Sequence, residues 1–149
     1  MRERYGLLVG EKMAEQVKRE IGTVAQEPGD DSFEVKGRNL STGLPEKRTV
    51  TAKELQPCLL EMAEQIVQAM QAVLERTPPE LVGDISTAGI VMTGGGSLLR
   101  GMDELVQKRL RVTARVAEEA EDCVAIGTGR CFEYIDQLSE DVIRYAVNR

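Results

Sequence analysis

Three consecutive glycines, placed between a strand pattern and a helix pattern, make up the segment of this sequence that could bind a ligand. Residues 91–93 lead into Gly94, Gly95 and Gly96, and Ser97 follows as a candidate helix cap. Because glycine has no Cβ, the backbone can turn sharply there and a ligand can approach it closely. Free amides at a helix start favour an anionic or polar group. The spacing is neither GxGxxG nor a P-loop with its lysine, so a tight turn that binds nothing would use the same residues.

Other side chains that carry out chemistry are few. The sequence has no histidine, which leaves zinc sites, Ser-His-Asp triads and Cys-His dyads without their usual ligand or base. Cys58, Cys123 and Cys131 lack paired metal-ligand spacing and are expected to be buried free thiols in a reducing cytosol. Neighbouring acids are expected to be solvated surface: Asp30 and Asp31, Glu118 and Glu119, and Glu121 and Asp122. We therefore assign no catalytic and no metal-binding residue.

The composition is that of a soluble globular chain of 149 residues, with 42% hydrophobic and 30% charged residues. The net charge of −6 argues against a nucleic-acid surface, which needs clustered lysine and arginine. No apolar run approaches the roughly 20 residues that cross a bilayer, and residues 1–10 lack a signal-peptide pattern. These features predict a cytoplasmic protein that has no membrane segment and does not bind nucleic acid.

The elements that would position the glycines begin with an amphipathic helix over residues 10–21. Its apolar face carries Met13, Ala14, Val17 and Ile21. Glu15 and Arg19 stand four residues apart, at the spacing of a helical ion pair. Two extended segments, Ser32–Lys36 and Lys47–Thr51, flank the string GRNLSTGLP, whose glycines and proline predict a loop. Together these segments predict a small sheet.

A long helix over Ala52–Arg76 is the most strongly marked element. Thr51 and Glu54 have the T-x-x-E form of a capping box, in which each side chain accepts a hydrogen bond from the other residue's backbone amide. The TPP string at 77–79 ends the helix, because proline disfavours helix in the residue before it. Pro57 predicts either a restarted first turn or a kink. An apolar stripe, predicted to be core rather than a binding groove, is formed by Leu55, Leu59, Met62, Ala63, Ile66, Met70, Val73 and Leu74.

The last third alternates strand and helix. Strands are predicted over residues 89–93 and 112–116, and helices over 97–109, 122–136 and, in the tail, 139–149. A helix of this length between two strands implies parallel pairing. Gly127 and Gly129 would each cost roughly 1 kcal/mol inside a helix, so close packing is expected there. Side chains predicted to face inward from the first of these helices are Leu98, Leu99, Met102, Leu105 and Val106. The fold class is therefore α/β: a small sheet and a long helix, followed by a β-α-β-α unit.

Four strings of the sequence, in order over nearly the whole chain, resemble the MreB/Mbl family of bacterial actins. They are YGLLVGEKMAEQVKREIG at 5–22, VKGRNLSTGLP at 35–45, TPPELVGDISTAGIVMTGGGSLLRGMDEL at 77–105 and DCVAIGTGR at 122–130. The resemblance implies part of an actin-like ATPase fold and covers only the C-terminal part of its second lobe. Residues 1–77 would form the outer, IIB-like subdomain. Residues 78–149 would form the inner, IIA-like subdomain, with an incomplete sheet.

The resemblance also assigns roles to particular residues. The glycine turn resembles the family's adenosine loop, so Gly94, Gly95, Gly96 and Ser97 would line the adenine and ribose. In related folds a glutamate and a lysine on the first helix flank the nucleoside, and the string AEQVK carries those roles to Glu15 and Lys18. The cofactor of the full-length family is ATP or ADP with magnesium.

The resemblance further implies what this chain cannot do alone. The family's phosphate-binding hairpins and catalytic acidic residue match no part of this sequence, so we expect no ATPase activity and at most weak nucleoside binding. Expected partners are copies of the chain itself, as a filament or strand-exchanged oligomer, the missing N-terminal half and the cell-wall synthesis machinery. Membrane-associated filaments are implied only by the resemblance. Two alternatives stay open: part of another ATPase or chaperone of the same superfold, and an interaction module that works without nucleotide.

Overall fold

The computed structural model describes residues 1–133. Within this range the order of elements is α1 (Arg2–Tyr5), β1 (Leu7–Leu8), α2 (Glu11–Ile21), β2 (Ser32–Asn39), β3 (Pro45–Thr51), α3 (Ala52–Arg76), α4 (Pro79–Ala88), β4 (Ile90–Met92), a 3-10 turn (Gly95–Leu98), α5 (Met102–Leu110), β5 (Ala114–Val116) and α6 (Cys123–Glu133). The α/β class is confirmed. The tail helix predicted over 139–149 lies outside the described residues.

The first sheet is antiparallel, in the order β1-β2-β3. Leu7, Val35 and Val50, one from each strand, are fully buried, because alternate residues of a strand lie on the face of the sheet that packs against α2. Strand β1 comes very close to β2 at Gly37, where a Cβ would lie 2.5 Å from the Leu8 carbonyl oxygen. Glycine is therefore required at this crossing, which explains why a residue that reads as loop lies inside a strand.

The loop between β2 and β3 is shorter than predicted. Pairing continues from Ser32↔Thr51 to Arg38↔Pro45, so the predicted nine-residue loop contracts to residues 40–44. The turn closes on Asn39, whose side-chain oxygen accepts hydrogen bonds from the amides of Ser41 (2.8 Å) and Thr42 (3.0 Å). The prediction was wrong because Gly37 and Pro45, which were taken as loop signals, are paired residues of β2 and β3.

Helix α3 has the predicted bounds, and both bonds of its capping box are present. The Glu54 amide donates to the Thr51 hydroxyl (3.3 Å), and the Thr51 amide donates to the Glu54 carboxylate (2.9 Å). The helix runs without interruption through Pro57, which lies on its exposed side. The apolar stripe is only partly core: Ala63 is buried, whereas Met62, Ile66 and Val73 are 59%, 52% and 61% exposed. Val67, which was not part of the predicted stripe, is buried. Those exposed side chains correct the prediction of an entirely buried stripe.

Helix α1 is fastened to the start of α3 through one side chain. The Tyr5 hydroxyl donates a hydrogen bond to the Glu54 carboxylate, the same group that completes the capping box. The Arg48 guanidinium lies 4.3 Å from the centre of the Tyr5 ring, a cation–π distance. This local arrangement was not predicted, because nothing in residues 1–8 shows a helical or strand period.

We predict that the hydrogen bond between Tyr5 and Glu54 makes folding stability depend on pH at both ends of the scale. The bond lowers the pKa of Glu54 below its ordinary 4.5 and raises the pKa of Tyr5 above 10.0. Glu54 therefore contributes stability above pH 4.5, and this contribution is lost as the pH falls through its lowered pKa. Tyr5 contributes stability below pH 10.0, which is lost as the pH rises through its raised pKa.

Thermal denaturation as a function of pH, for the natural chain and for Tyr5→Phe, checks this prediction. The variant keeps the ring beneath Arg48 and removes only the hydroxyl. We expect a flatter profile above pH 10 and a smaller loss of stability below pH 4.5 in the variant. Two superimposable profiles would show that the bond makes no contribution in solution.

The second sheet contains the parallel pair β4 and β5, as predicted, with Ile90 opposite Ala114. Strand β5 begins at residue 114 rather than 112, because α5 ends on Arg111 in the left-handed region (φ 57°). Helix α4 was not predicted, although proline at its first position is a known start signal. Its apolar residues are too scattered to give a clear period.

The helix predicted over 97–109 is two separate elements. A 3-10 turn over Gly95–Leu98 comes first, and α5 begins only at Met102, after Gly101 at φ 82°. Ser97 is not a helix cap, since its hydroxyl donates to the Gly94 carbonyl (2.7 Å). Of the side chains predicted to face inward, Met102, Leu105 and Val106 are buried, whereas Leu98 is 52% exposed.

Two apolar clusters form the core. One lies beneath the first sheet, and the other joins α3, α5 and the parallel pair. Helix α3 contributes to both, since Ala52 belongs to the first cluster and Ala63 and Val67 to the second. The division into subdomains at residue 77 therefore stays a prediction.

Helix α6 was predicted to pack closely at its glycines, and the structure differs on this point. In the described part of the chain it has no buried residue, and no atom lies within 4 Å of a Cβ built on Gly127 or Gly129. The expected close packing of these glycines is therefore not found over residues 1–133. The expectation of buried thiols was also wrong, because Cys58 and Cys131 are exposed and Cys123 is half-buried. No described helix is both long and apolar enough to cross a membrane.

Candidate functional site

A cavity of about 590 Å³ opens between α2, the middle of α3, the 3-10 turn and the segment before α6. It is lined by Glu15, Lys18, Arg19, Gly22, Leu59, Met62, Ala63, Ile66, Gly95, Gly96, Leu98, Leu99, Arg100, Met102 and Glu121. Residues far apart in the sequence thus meet at one place, on the side of the glycine turn that faces α2.

Four of the six residues predicted for the site line this cavity. Glu15 and Lys18 come from α2, and Gly95 and Gly96 from the 3-10 turn. The other two, Gly94 and Ser97, belong to the turn but do not line the cavity. Gly94 has a φ of 81°, and its amide donates a hydrogen bond to the Ala120 carbonyl (2.6 Å). The hydroxyl of the buried Ser97 donates to the Gly94 carbonyl. These two residues shape the turn rather than the cavity wall.

One wall of the cavity is charged. The two oxygens of Glu15 accept from different cations, Oε2 from Lys18 Nζ (2.7 Å) and Oε1 from Arg19 Nε (3.1 Å). The predicted pairing of Glu15 with Arg19 is confirmed. The hydrogen bond from Lys18, and then the one from Arg19, lowers the pKa of Glu15, so this carboxyl is ionised at neutral pH. Arg19 also donates from Nη2 to Oε1 of Glu121 (3.1 Å).

The opposite wall is apolar. It is formed by Leu59, Met62 and Ile66 of α3 together with Leu98 of the 3-10 turn. The side chains of Met62, Ile66 and Leu98 are more than half exposed. Their exposure is explained by the cavity, because they border open space instead of packing against another element. A wide apolar surface beside a charged one suits a ligand with a flat apolar ring and polar substituents.

Arg100 links the end of α2 to the chain segment that follows the glycine turn. Its guanidinium donates to the carbonyls of Glu20 (3.1 Å) and Gly22 (3.3 Å) at the end of α2, and to the carboxylate of Asp31 (2.8 Å). A cation at a helix C-terminus is favourable, because the last carbonyls carry partial negative charge. The carbonyl of Arg100 accepts from the Val24 amide (2.8 Å). Helix α2 is therefore fixed to the chain that follows the glycine turn.

Sequence reasoning missed several residues of the site. Met62 and Ile66 were taken as core because a helical stripe does not reveal which of its edges is covered. Arg19 was paired correctly with Glu15, but its second partner, Glu121, lies 102 residues away and left no local signal. Leu98 could have been found, since it lies only two residues after the last of the three glycines. Among residues 1–133 no group of three metal-ligating side chains is found, and we derive no step through a metal.

Solved structures with a similar fold place the chain in a class. A structure of MreB5 of Spiroplasma citri bound to AMPPNP matches with a TM-score of 0.86 and 32% identity, over 91% of this chain and 41% of that one. The same protein bound to ADP matches with a TM-score of 0.85. A non-polymerising MamK mutant, 23% identical, matches with a TM-score of 0.63 and supports the fold alone. The fold is that of part of an actin-like protein.

Sequence comparison narrows the class. The family described as MreB/Mbl protein matches residues 1–140. The cell shape-determining protein Mbl of Bacillus cereus is 44% identical over 97% of this chain, and MreB of Escherichia coli is 43% identical over 95%. This chain belongs to the MreB/Mbl family. It spans about two fifths of these relatives, 43% of the first and 41% of the second.

Proposed function

We propose that this chain supplies the adenosine side of the nucleotide site in a filament-forming, cell shape-determining protein. The observation that carries the proposal is the meeting of Glu15 and Lys18 with Gly95 and Gly96 around one cavity. These are the positions to which the family resemblance carries adenosine contacts. The similar Spiroplasma citri structures are described as bound to AMPPNP and to ADP, which supports a nucleotide as the ligand.

The two walls of the cavity fit different parts of a nucleoside. The apolar surface of Met62, Ile66 and Leu98 offers van der Waals contact to the face of a purine base. Glu15 is an acceptor for ribose hydroxyls, and Lys18 is a donor beside it. Gly95 and Gly96 present backbone without a Cβ, so the ligand approaches the main chain closely. Binding by this chain alone is weak in this proposal, because these residues hold the nucleoside and not the phosphates.

Calorimetric titration of the purified chain with ATP tests the proposal. We expect saturable binding that is abolished by Gly95→Val, because the new side chain would enter the cavity. A Cβ added at Gly95 would lie 3.1 Å from Glu121 Oε1, and the valine methyl groups would extend beyond it. The matched control is Gly83→Val on α4, at a position with nothing within 4 Å and away from the cavity. Binding that survives Gly95→Val, or that is equally lost in the control, would refute this assignment.

Hydrolysis is not expected from the chain alone. Phosphoryl transfer requires phosphate cradling and an oriented water, roles that the family resemblance assigns to hairpins and an acidic residue that match no part of this sequence. We therefore propose that the chain contributes ligand positioning to an actin-like ATPase. Steady ATP turnover that is sensitive to Gly95→Val, measured on the purified chain, would contradict this.

Self-association in the cytoplasm is the second part of the proposal. The relatives are named for determining cell shape. Several apolar side chains after α4 are exposed: Val91 at 47%, Val124 at 77% and Phe132 at 69%. Partners that would cover such a surface are copies of the chain and the complementary part of the protein. Cell-wall synthesis proteins are proposed as further partners from the family alone. Pelleting of filaments only when the complementary part is added would separate this proposal from that of an independent interaction module.

A further inference from the structure

Glu121 is a carboxylate in the cavity that the family resemblance does not assign. It lies in the turn between β5 and α6 and lines the cavity next to Gly95 and Arg19. Its Oε1 lies 3.1 Å from the position of a Cβ on Gly95, so the carboxylate stands directly against the glycine turn. Arg19 reaches the same oxygen from α2, at 3.1 Å. The Glu121 carboxylate thus lies between the glycine turn and α2, and its side chain is 44% exposed.

The two carboxylates of the cavity differ in what they can still accept. Both oxygens of Glu15 are engaged, one by Lys18 and one by Arg19. Glu121 uses only Oε1, and Oε2 has no donor among the groups described over residues 1–133. An ionised carboxylate accepts hydrogen bonds and donates none. The open position on Glu121 therefore selects for a ligand that brings an N–H or O–H group.

We propose that Glu121 is a specificity-determining residue, which accepts a hydrogen bond from the exocyclic amino group of a purine base. This inference rests on the proposed function. If Glu15 and Lys18 engage the ribose and the apolar wall packs on the base, the remaining polar edge of the base meets Glu121. A base without the amino group offers no donor to Glu121 Oε2, and a site that hydrogen-bonds one group of a ligand binds the analogue that lacks it less tightly. Arg19 is a positioning residue, because it holds Oε1 and so orients Oε2.

The test compares ATP with purine riboside 5′-triphosphate, which lacks only the 6-amino group. Dissociation constants are measured on the purified chain by calorimetry and by the NMR shifts of the Gly95 and Gly96 amides, which follow weak binding. For the natural chain we expect ATP to bind up to about tenfold tighter, the difference that one hydrogen bond to a partly solvated charged group produces. Glu121→Ala is expected to bring the ratio close to one, mainly by weakening ATP.

The matched control is Glu118→Ala. It removes the same charge from the same turn at a residue that does not line the cavity, so the ratio should stay as in the natural chain. Arg19→Gln should lower the ratio although Glu121 is intact, and Arg19→Lys should restore part of it. A residue that only supports the fold would change both affinities together and leave their ratio unaltered.

The outcomes separate this inference from the function on which it rests. Equal affinity of the natural chain for both nucleotides would overturn the role of Glu121 and leave the adenosine site standing. A preference for ATP that persists in Glu121→Ala would also overturn that role. Binding of neither nucleotide by the natural chain would overturn the proposed function and this inference with it.

Discussion

Replacing Gly101 with alanine is expected to lower the free energy of unfolding by about 2–6 kcal/mol. The residue sits at φ 82°, where a non-glycine residue costs roughly 1–3 kcal/mol. A Cβ there would lie 2.5 Å from the Ala25 amide nitrogen and 2.6 Å from its Cα, and forcing this backbone apart costs about another 1–3 kcal/mol. The contact is where the chain after the glycine turn crosses the segment that leaves α2.

Urea denaturation followed by circular dichroism measures this effect, with Gly43→Ala as the matched control. Gly43 also has a positive φ, 73°, but nothing lies within 4 Å of its Cβ position. The control therefore suffers only the backbone strain. If both variants lose the same stability, the close approach at Gly101 contributes nothing and this prediction is wrong.

Leu7→Ala is expected to destabilise the fold by about 2–5 kcal/mol, the usual cost of deleting a buried leucine side chain. Leu7 is fully buried, and its cluster includes Val17 and Ile21 of α2 as well as residues of the first sheet. Leu8→Ala is the control, because its side chain points to the other face and is 40% exposed. We expect that variant to lose less than about 1 kcal/mol.

The same denaturation experiment compares the two leucine variants. Equal losses would mean that the short strand β1 does not hold its register against β2 in solution. The nucleotide titration of Leu7→Ala is informative too. Because α2 packs on the cluster that Leu7 fills, a loosened α2 should also weaken ATP binding at temperatures where the chain remains folded.

Much of the fold could be predicted where a local signal determines it. Helix α3 was predicted with its bounds, because Thr51 and Glu54 form a capping box and two prolines follow the last turn. The parallel pairing of β4 and β5 followed from the helix between them. Helix α1 and strand β1 were missed, since two- and four-residue elements have no measurable period. They exist because tertiary contacts at Tyr5 and Leu7 stabilise them.

The site was predictable only in part, for a related reason. Glycine types and the family strings indicated Gly95 and Gly96, and Glu15 and Lys18 are brought to the same cavity. The split of the predicted helix at Gly101 was not foreseen, because that break depends on the crossing with Ala25. The apolar wall was not foreseen either. Whether Met62 faces a core or an opening is decided by the neighbour of α3, which a single stripe of residues does not specify.

The bonds that Arg100 makes have a consequence for how this site can change during evolution. Two of its three partners are main-chain carbonyls, those of Glu20 and Gly22, and a carbonyl is present whatever side chain the residue carries. Substitution of the Glu20 side chain therefore leaves the hydrogen bonds from Arg100 to α2 in place. The helix can accept new side chains along its outward face while its position against the glycine turn is preserved. Ligand preference and scaffold geometry are thus separable, and selection can alter the first without disturbing the second.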